Sequence, residues 1–339
     1  MDEVKPQAEL VPDASLPPAV DQSAAVPPFS LSRAAQQHPM HRVFMGPHGL
    51  RAGWRLLLYV ALWRVLLFLM DGLASVTLPR GTHGIWLDLA VESKLMVATL
   101  LPALLMAAIE KRRFGAYGLM GRQAFGKLFW AGMIWGVAAI SLLVLAIGGV
   151  GDFSLGSVAL HGVRVFKFAV FWAGYFLVVG FFEEFLFRGY SLFTLATGMG
   201  FWPAAVLLSL IFAAVHAGNP GETFIGLAAV AAIGLFFCLT LHRTGNLWFA
   251  VGFHASFDWG ESYLYSVRDS GTTVTGHLLN SSFHGSRWLT GGSVGPEGSV
   301  LVFVVIALTW VAFDRMYPEV KYGNEVVRVT RAPAPAREP

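Results

Sequence analysis

The residues that decide the fold are FFEEFLFRGY at positions 181–190, where two adjacent carboxylates end a long apolar run. An ionisable side chain at membrane depth costs about 2.5 to 3.5 kcal/mol, so each one needs a partner or a function. Residues four apart share one face of a helix, whereas adjacent residues point about 100° apart. We therefore predict that Arg188 neutralises Glu184 and that Glu183 is free to act as a base. An ion-paired helix end at the membrane interface is the simpler alternative.

Two further motifs place ionisable residues inside apolar runs. FAAVH ends in His216, and FHASFD places His254 and Asp258 four residues apart. A lone histidine in an apolar helix is usually a hydrogen-bonded core residue. Two histidines, a carboxylate pair and a further Asp on separate runs instead favour one shared functional site.

The composition indicates a membrane protein. The chain has 339 residues, of which 55% are hydrophobic and 13% charged, and its mean hydropathy is +0.59. A soluble chain of this composition would lack polar surface. The single cysteine, Cys238, excludes an intrachain disulfide and a cysteine-based zinc ribbon. Lys and Arg fall mostly between the apolar runs, so the net charge of +3 does not indicate a nucleic-acid partner.

Eight apolar stretches are long enough, or nearly so, to cross a hydrocarbon core of about 30 Å as helices. They lie near residues 54–73, 86–109, 128–149, 163–185, 201–217, 223–241, 246–260 and 299–316. An open sheet would leave backbone groups unpaired in lipid. The sequence therefore predicts an all-α polytopic protein of the lipid bilayer, with about eight transmembrane helices around an intramembrane catalytic cavity.

The chain is predicted to have three regions. Residues 1–48, rich in Pro, Ala, Ser and Gln, are expected to form a disordered tail. Residues 49–318 would form the membrane domain, with a motif core at 160–260 and an external loop at 261–298. Residues 319–339 would form a cytoplasmic tail. Basic residues gather at alternate span boundaries, which places both termini in the cytoplasm. We expect the protein in a bacterial inner membrane.

The site residues suit peptide hydrolysis by an activated water, because no serine or cysteine nucleophile stands beside a base. Glu183 and His216 would hold and deprotonate the water, and His254 with Asp258 would stabilise the oxyanion. An oxyanion donor must carry hydrogen, so this role needs a protonated Asp258. Alternatively, Glu183, His216, His254 and Asp258 have the ligand types for a divalent metal such as zinc. The sequence leaves both mechanisms open.

Straight helices would hold the two histidines at different depths. His216 lies about 22 Å from the inner end of its span, whereas His254 lies about 12 Å from the inner end of its own. Either the helices tilt and break around the cavity, or the fifth span starts deeper after a re-entrant segment at 190–200.

The motifs together resemble those of the CPBP family of intramembrane endopeptidases. This family includes the CAAX prenyl proteases and the bacteriocin-processing and self-immunity (ABI) proteins. Its signatures EExxxR, FxxxH and HxxxN/D match, in order, Glu183-Glu184 with Arg188, Phe212 with His216, and His254 with Asp258.

The resemblance implies a helical membrane fold whose cavity opens to the cytosol, and cleavage near the carboxyl end of a peptide or protein substrate. It also implies that Glu183 and His216 activate the water and that His254 and Asp258 form the oxyanion side. Eukaryotic members typically have Asn at the last position, so Asp258 reopens the question of a metal. Two other kinds of protein would use the same polar core: a non-proteolytic scaffold or immunity protein, and a proton-coupled transporter.

Overall fold

The computed structural model describes residues 39–46, 49–77, 79 and 81–322. About 71% of these residues are helical, which confirms the predicted all-α class. The contacts divide the chain into two units, Met1–Gly49 and Leu50–Pro339. The first unit contains α1 (Pro39–Phe44) and β1 (Met45–Gly46), and β2 (Gly49–Leu50) follows. Most of the predicted tail 1–48, and the predicted tail from residue 323 onward, lie outside the described residues.

The second unit is a bundle of helices. In chain order these are α2 (Ala52–Thr77), α3 (Ile85–Ile109), α4 (Lys127–Gly149), α5 (Val163–Glu184), α6 (Leu192–Met199), α7 (Phe201–His216), α8 (Phe224–Thr244), α9 (Trp248–Trp259), α10 (Arg287–Thr290) and α11 (Val302–Met316). Short 3-10 helices lie at Phe114–Tyr117, Gly121–Gln123 and Pro296–Gly298. Each of the eight predicted apolar stretches overlaps one of the longer helices.

Among the described residues, five helices are long and apolar enough to cross a membrane: Ala52–Thr77, Ile85–Ile109, Lys127–Gly149, the continuous Val163–Met199, and Phe224–Thr244. The other three are shorter, with 16 residues in α7, 12 in α9 and 15 in α11. Twelve residues of helix extend only about 18 Å. The predicted count of eight spans is therefore not confirmed, although the protein has the helices of an integral membrane protein.

The EExxxR motif lies where the long helix from Val163 to Met199 changes its winding. Residues Phe185–Ser191 form a π-helix, and Gly189 has non-helical angles of φ −80° and ψ −115°. Single turns of π-helix occur mostly at functional sites, and they kink the helix that contains them. The segment after the kink is the helix α6, so most of the segment 190–200 is helical.

Glycines allow α9 to pack closely against α4. A Cβ atom at Gly132 would collide with the carbonyl oxygen of Phe249, and one at Gly136 would collide with that of Phe253. This spacing of two small residues, four apart, is typical of closely packed membrane helices. The contact fixes the position of α9, the helix that carries the HxxxD motif.

The segment 261–298, which we call the cap, has more regular structure than its Gly, Ser and Thr content suggests. Its strand β4 (Ser282–Phe283) pairs antiparallel with β3 (Phe153–Ser154), which follows α4. Next to this pair, the backbone N–H of Asn280 donates to the carbonyl oxygen of Ser157 at 2.8 Å. The cap is therefore tied to the connection between α4 and α5.

Candidate active site

Glu184 and Arg188 form a buried ion pair at the end of α5. Nη1 of Arg188 donates to Oε1 of Glu184 at 3.0 Å, and the two side chains are 1% and 0% exposed, respectively. The partnership predicted from the four-residue spacing is confirmed. Cζ of Arg188 also lies 4.2 Å from the ring centroid of Phe212, the first residue of the FxxxH motif, which adds a cation–π interaction.

A glycine on α8 makes room for the guanidinium. A Cβ atom at Gly234 would lie 2.7 Å from Nη2 of Arg188. Nη2 itself, and Oε2 of Glu184, are buried without a hydrogen-bond partner among the described residues. Buried polar atoms are nearly always hydrogen-bonded, and the exceptions often mark functional sites.

Glu184 also contacts His254, which the sequence analysis did not foresee. Nδ1 of His254 lies 3.0 Å from the same oxygen, Oε1, that accepts from Arg188. An ionised carboxylate only accepts hydrogen bonds, so Nδ1 carries the hydrogen. Gly180, one turn before Glu184, makes room for this contact, because a Cβ atom there would lie 3.2 Å from Cβ of His254.

The other ring nitrogen of His254 faces two further carboxylates. Nε2 lies 3.6 Å from Oε2 of Glu183 and 3.4 Å from Oδ2 of Asp258. A neutral ring with its hydrogen on Nδ1 would present a lone pair to both carboxylate oxygens. That arrangement is repulsive, and a proton on Nε2 or on one of the two carboxylates would relieve the repulsion. Protons held in this way are typical of acid–base sites.

His216 has a defined tautomer as well. Its Nδ1 lies 2.7 Å from the backbone carbonyl oxygen of Phe212. A carbonyl only accepts, so Nδ1 carries the hydrogen and Nε2 of the neutral ring is an acceptor. His216, His254 and Asp258 all line one cavity. Two histidines that straight spans would hold at different depths thus line the same cavity.

The cavity has about 760 Å³ of empty space and lies among α7, α8, α9, α11 and the cap. Its wall is largely apolar, with side chains such as Val230, Ile233, Phe257 and Val305. Pockets with an apolar wall and a few convergent polar groups are the usual places for a ligand.

Three more acidic residues line the cavity: Glu261, Asp269 and Glu297. All three lie in the segment 261–298, which the sequence predicts to be an external loop, and no spacing pattern links them to the site motifs. Burial, together with the charge of Asp258, raises the pKa of Asp269 well above its ordinary range. Burial likewise raises the pKa of Glu297.

A possible metal set was predicted at Glu183, His216, His254 and Asp258. Among the residues that the structure describes, a different group has ligand atoms that all lie within 4.8 Å of one another, and it consists of Glu261, Asp269 and Glu297. This group contains none of the four predicted ligands, so a catalytic zinc stays a prediction.

The segment from α5 to α9 carries all three motifs, and this same segment matches a known family model. Residues 165–260 match the family model of Rce1-like type II CAAX prenyl endopeptidases. The match confirms the resemblance indicated by the motifs, and it supports an intramembrane protease. No curated protein and no solved structure matches the chain.

We expect Arg188→Met to lower the free energy of unfolding by about 3–5 kcal/mol, because it leaves the carboxylate of Glu184 buried without its cation. Thermal or denaturant unfolding in detergent measures this change. The matched control is Lys94→Met, which removes the partly exposed ion pair with Asp71 and should cost at most about 1 kcal/mol. Equal effects of the two substitutions would contradict the structural role of the buried pair.

Proposed function

We propose that the protein is an intramembrane endopeptidase that hydrolyses a peptide bond with a water activated by Glu183 and His216. The observation that supports this most is the approach of two carboxylates to Nε2 of His254. Oε2 of Glu183 lies 3.6 Å from this nitrogen, and Oδ2 of Asp258 lies 3.4 Å from it. The match to the CAAX endopeptidase model adds independent support.

Of the two adjacent glutamates, Glu183 is the one suited to be the general base. Oε1 of Glu184 is already shared by Arg188 and His254, and the side chain is fully buried. The Glu183 side chain is 19% exposed and has no arginine or lysine partner among the described ion pairs. It can therefore reach a water and take its proton. The acceptor Nε2 of His216 would hold the same water.

His254 and Asp258 would stabilise the negative charge that develops on the carbonyl oxygen. A proton shared among Glu183, His254 and Asp258 would provide a donor either on Nε2 of the imidazole or on the carboxyl of Asp258. Once the tetrahedral intermediate forms, Glu183 returns its newly acquired proton to the leaving amine. These reaction steps need no cofactor. The alternative mechanism uses a zinc ion held by the same residues.

The surroundings of the site suggest the class of substrate. The apolar wall of the cavity suits apolar side chains next to the scissile bond, in a peptide that enters from the bilayer or its surface.

We propose that the protein resides in a bacterial inner membrane with both termini in the cytoplasm. The basic residues at alternate boundaries of the apolar stretches support this orientation.

We expect Glu183→Gln to lower kcat/KM for peptide cleavage by about 10²–10⁴, because the amide keeps the shape of the side chain but cannot accept the proton. The assay uses purified protein in detergent with a library of peptides, with and without an isoprenyl group, and mass spectrometry of the products. Glu319→Gln, at an exposed glutamate far along the chain, is the control and should cleave at the wild-type rate.

Unchanged cleavage by Glu183→Gln would exclude Glu183 as the base. If the wild-type protein binds the peptides but cleaves none, the function is that of a scaffold. Proton flux in vesicles that disappears with Glu183→Gln, without peptide cleavage, would indicate a transporter.

The two candidate mechanisms make opposite predictions for Asp258→Asn. We expect this variant to keep kcat/KM within about tenfold of wild type, because Asn donates a hydrogen bond to the oxyanion without needing a bound proton. Asp258→Ala should lose about 10²–10³. An Asn variant as inactive as the Ala variant, together with wild-type activity that a chelator abolishes and zinc restores, would contradict the metal-free mechanism.

A further inference from the structure

A second group of acidic side chains lies beyond Asp258, at the end of the cavity formed by the cap. Glu261 lies in the π-helical turn Gly260–Leu264 that follows α9, and Glu297 lies in the 3-10 helix before α11. Asp269 lies between them in the cap. Their ligand atoms are all within 4.8 Å of one another. Three separate parts of the chain thus bring one carboxylate each to a single point.

Among the described residues, two oxygens of this group receive no hydrogen bond from an amide, a hydroxyl or a cationic side chain, and the side chains of Glu261 and Glu297 contact each other. Oε1 of Glu261 and Oε2 of Glu297 are buried without a hydrogen-bond donor among the described residues. Glu261 is only 1% exposed, and both residues line the cavity. A buried carboxylate oxygen without a donor costs free energy, so a ligand that supplies positive charge would relieve this cost.

The donors that the group does have are neutral. The hydroxyl of Ser262 donates to Oδ2 of Asp269 at 3.1 Å, and the backbone N–H of Ser270 donates to Oε1 of Glu297 at 2.6 Å. Arg268 is adjacent to Asp269 in sequence, but its Nη1 donates to the backbone of Ser293. Among the described residues, no lysine or arginine forms an ion pair with the three carboxylates.

We propose that Glu261, Asp269 and Glu297 bind one divalent cation of the oxygen-preferring class, such as Ca²⁺, Mg²⁺ or Mn²⁺. An all-carboxylate set suits these hard cations, whereas zinc sites more often include histidine or cysteine. The protein ligands would come from the turn that follows α9, from the middle of the cap and from the 3-10 helix before α11. Water could occupy the remaining coordination positions of the cation.

The cation would hold three parts of the cap together. Its first ligand lies one turn beyond Asp258, and its last lies just before α11, whose residues Val302 and Val305 form part of the cavity wall. This site is separate from the water-activating residues, so it does not depend on the protein being a protease.

The test is a titration of the purified full-length protein with Mn²⁺, followed by the electron paramagnetic resonance signal of the free ion. Wild-type protein is expected to bind one Mn²⁺ per chain, which Ca²⁺ or Mg²⁺ displaces. Glu261→Gln and Glu297→Gln should each weaken binding at least tenfold, because each removes one charged ligand. Saturating Mn²⁺ should raise the Tm of wild type and leave the Tm of the two variants unchanged.

Two control variants separate this site from other carboxylates. Glu319→Gln changes an exposed glutamate, and Glu183→Gln changes the proposed general base, and both should bind Mn²⁺ as tightly as wild type. Unfolding curves recorded without metal establish that the Glu261 and Glu297 variants fold.

Absence of stoichiometric Mn²⁺ binding in wild type would overturn the proposal, as would wild-type affinity in both the Glu261 and Glu297 variants. Infrared spectroscopy provides a second measurement. A protonated carboxyl band that disappears with Glu261→Gln but persists in wild type at saturating Mn²⁺ would mean that the group shares a proton, and this too would overturn the proposal.

Discussion

The hydrogen bond from Arg188 to the buried carboxylate of Glu184 is the interaction on which the rest of the site depends. With Arg188 in place, Glu184 stays ionised in a setting of low dielectric constant, where a lone carboxylate would be neutralised. Because it is ionised, it can accept a hydrogen bond from Nδ1 of His254. The second ring nitrogen is thereby directed at Glu183 and Asp258. An ion pair on one helix thus sets the tautomer of a histidine on another.

This arrangement requires helices that approach closely, and glycines make the approach possible. Gly180 lets α9 come near the ion pair of Glu184 and Arg188, and Gly234 leaves space for the guanidinium of Arg188. Gly132 lets α4 pack closely against α9. Lipid offers little hydrophobic drive for helices to associate, so tight packing and buried polar contacts must hold them together. The same close contacts that stabilise the packing of the helices therefore also position the reactive groups of the site.

Much of this could be predicted from local patterns in the sequence. Hydropathy located the helices to within a few residues, as for 128–149 against Lys127–Gly149. Hydropathy does not distinguish a helix surrounded by lipid from one surrounded by protein, and the largely buried α9 is one of the three helices whose crossing of the membrane is not confirmed. The pairing of Glu184 with Arg188 follows from helical spacing. The contact of Glu184 with His254, 70 residues away, and the acidic group beside the cap depend on tertiary packing, for which a single sequence has no signal.

The most direct test of the central claim is the ¹⁵N NMR spectrum of protein with labelled histidines, with the His254 signals assigned by their loss in His254→Gln. The account predicts that Nδ1 of His254 is protonated and hydrogen-bonded throughout the active pH range. It also predicts that this signal changes in Glu184→Gln, and that Nε2 titrates at the pH where peptide cleavage changes. A His254 ring with hydrogen on Nε2 alone, or a spectrum unaffected by Glu184→Gln, would contradict it.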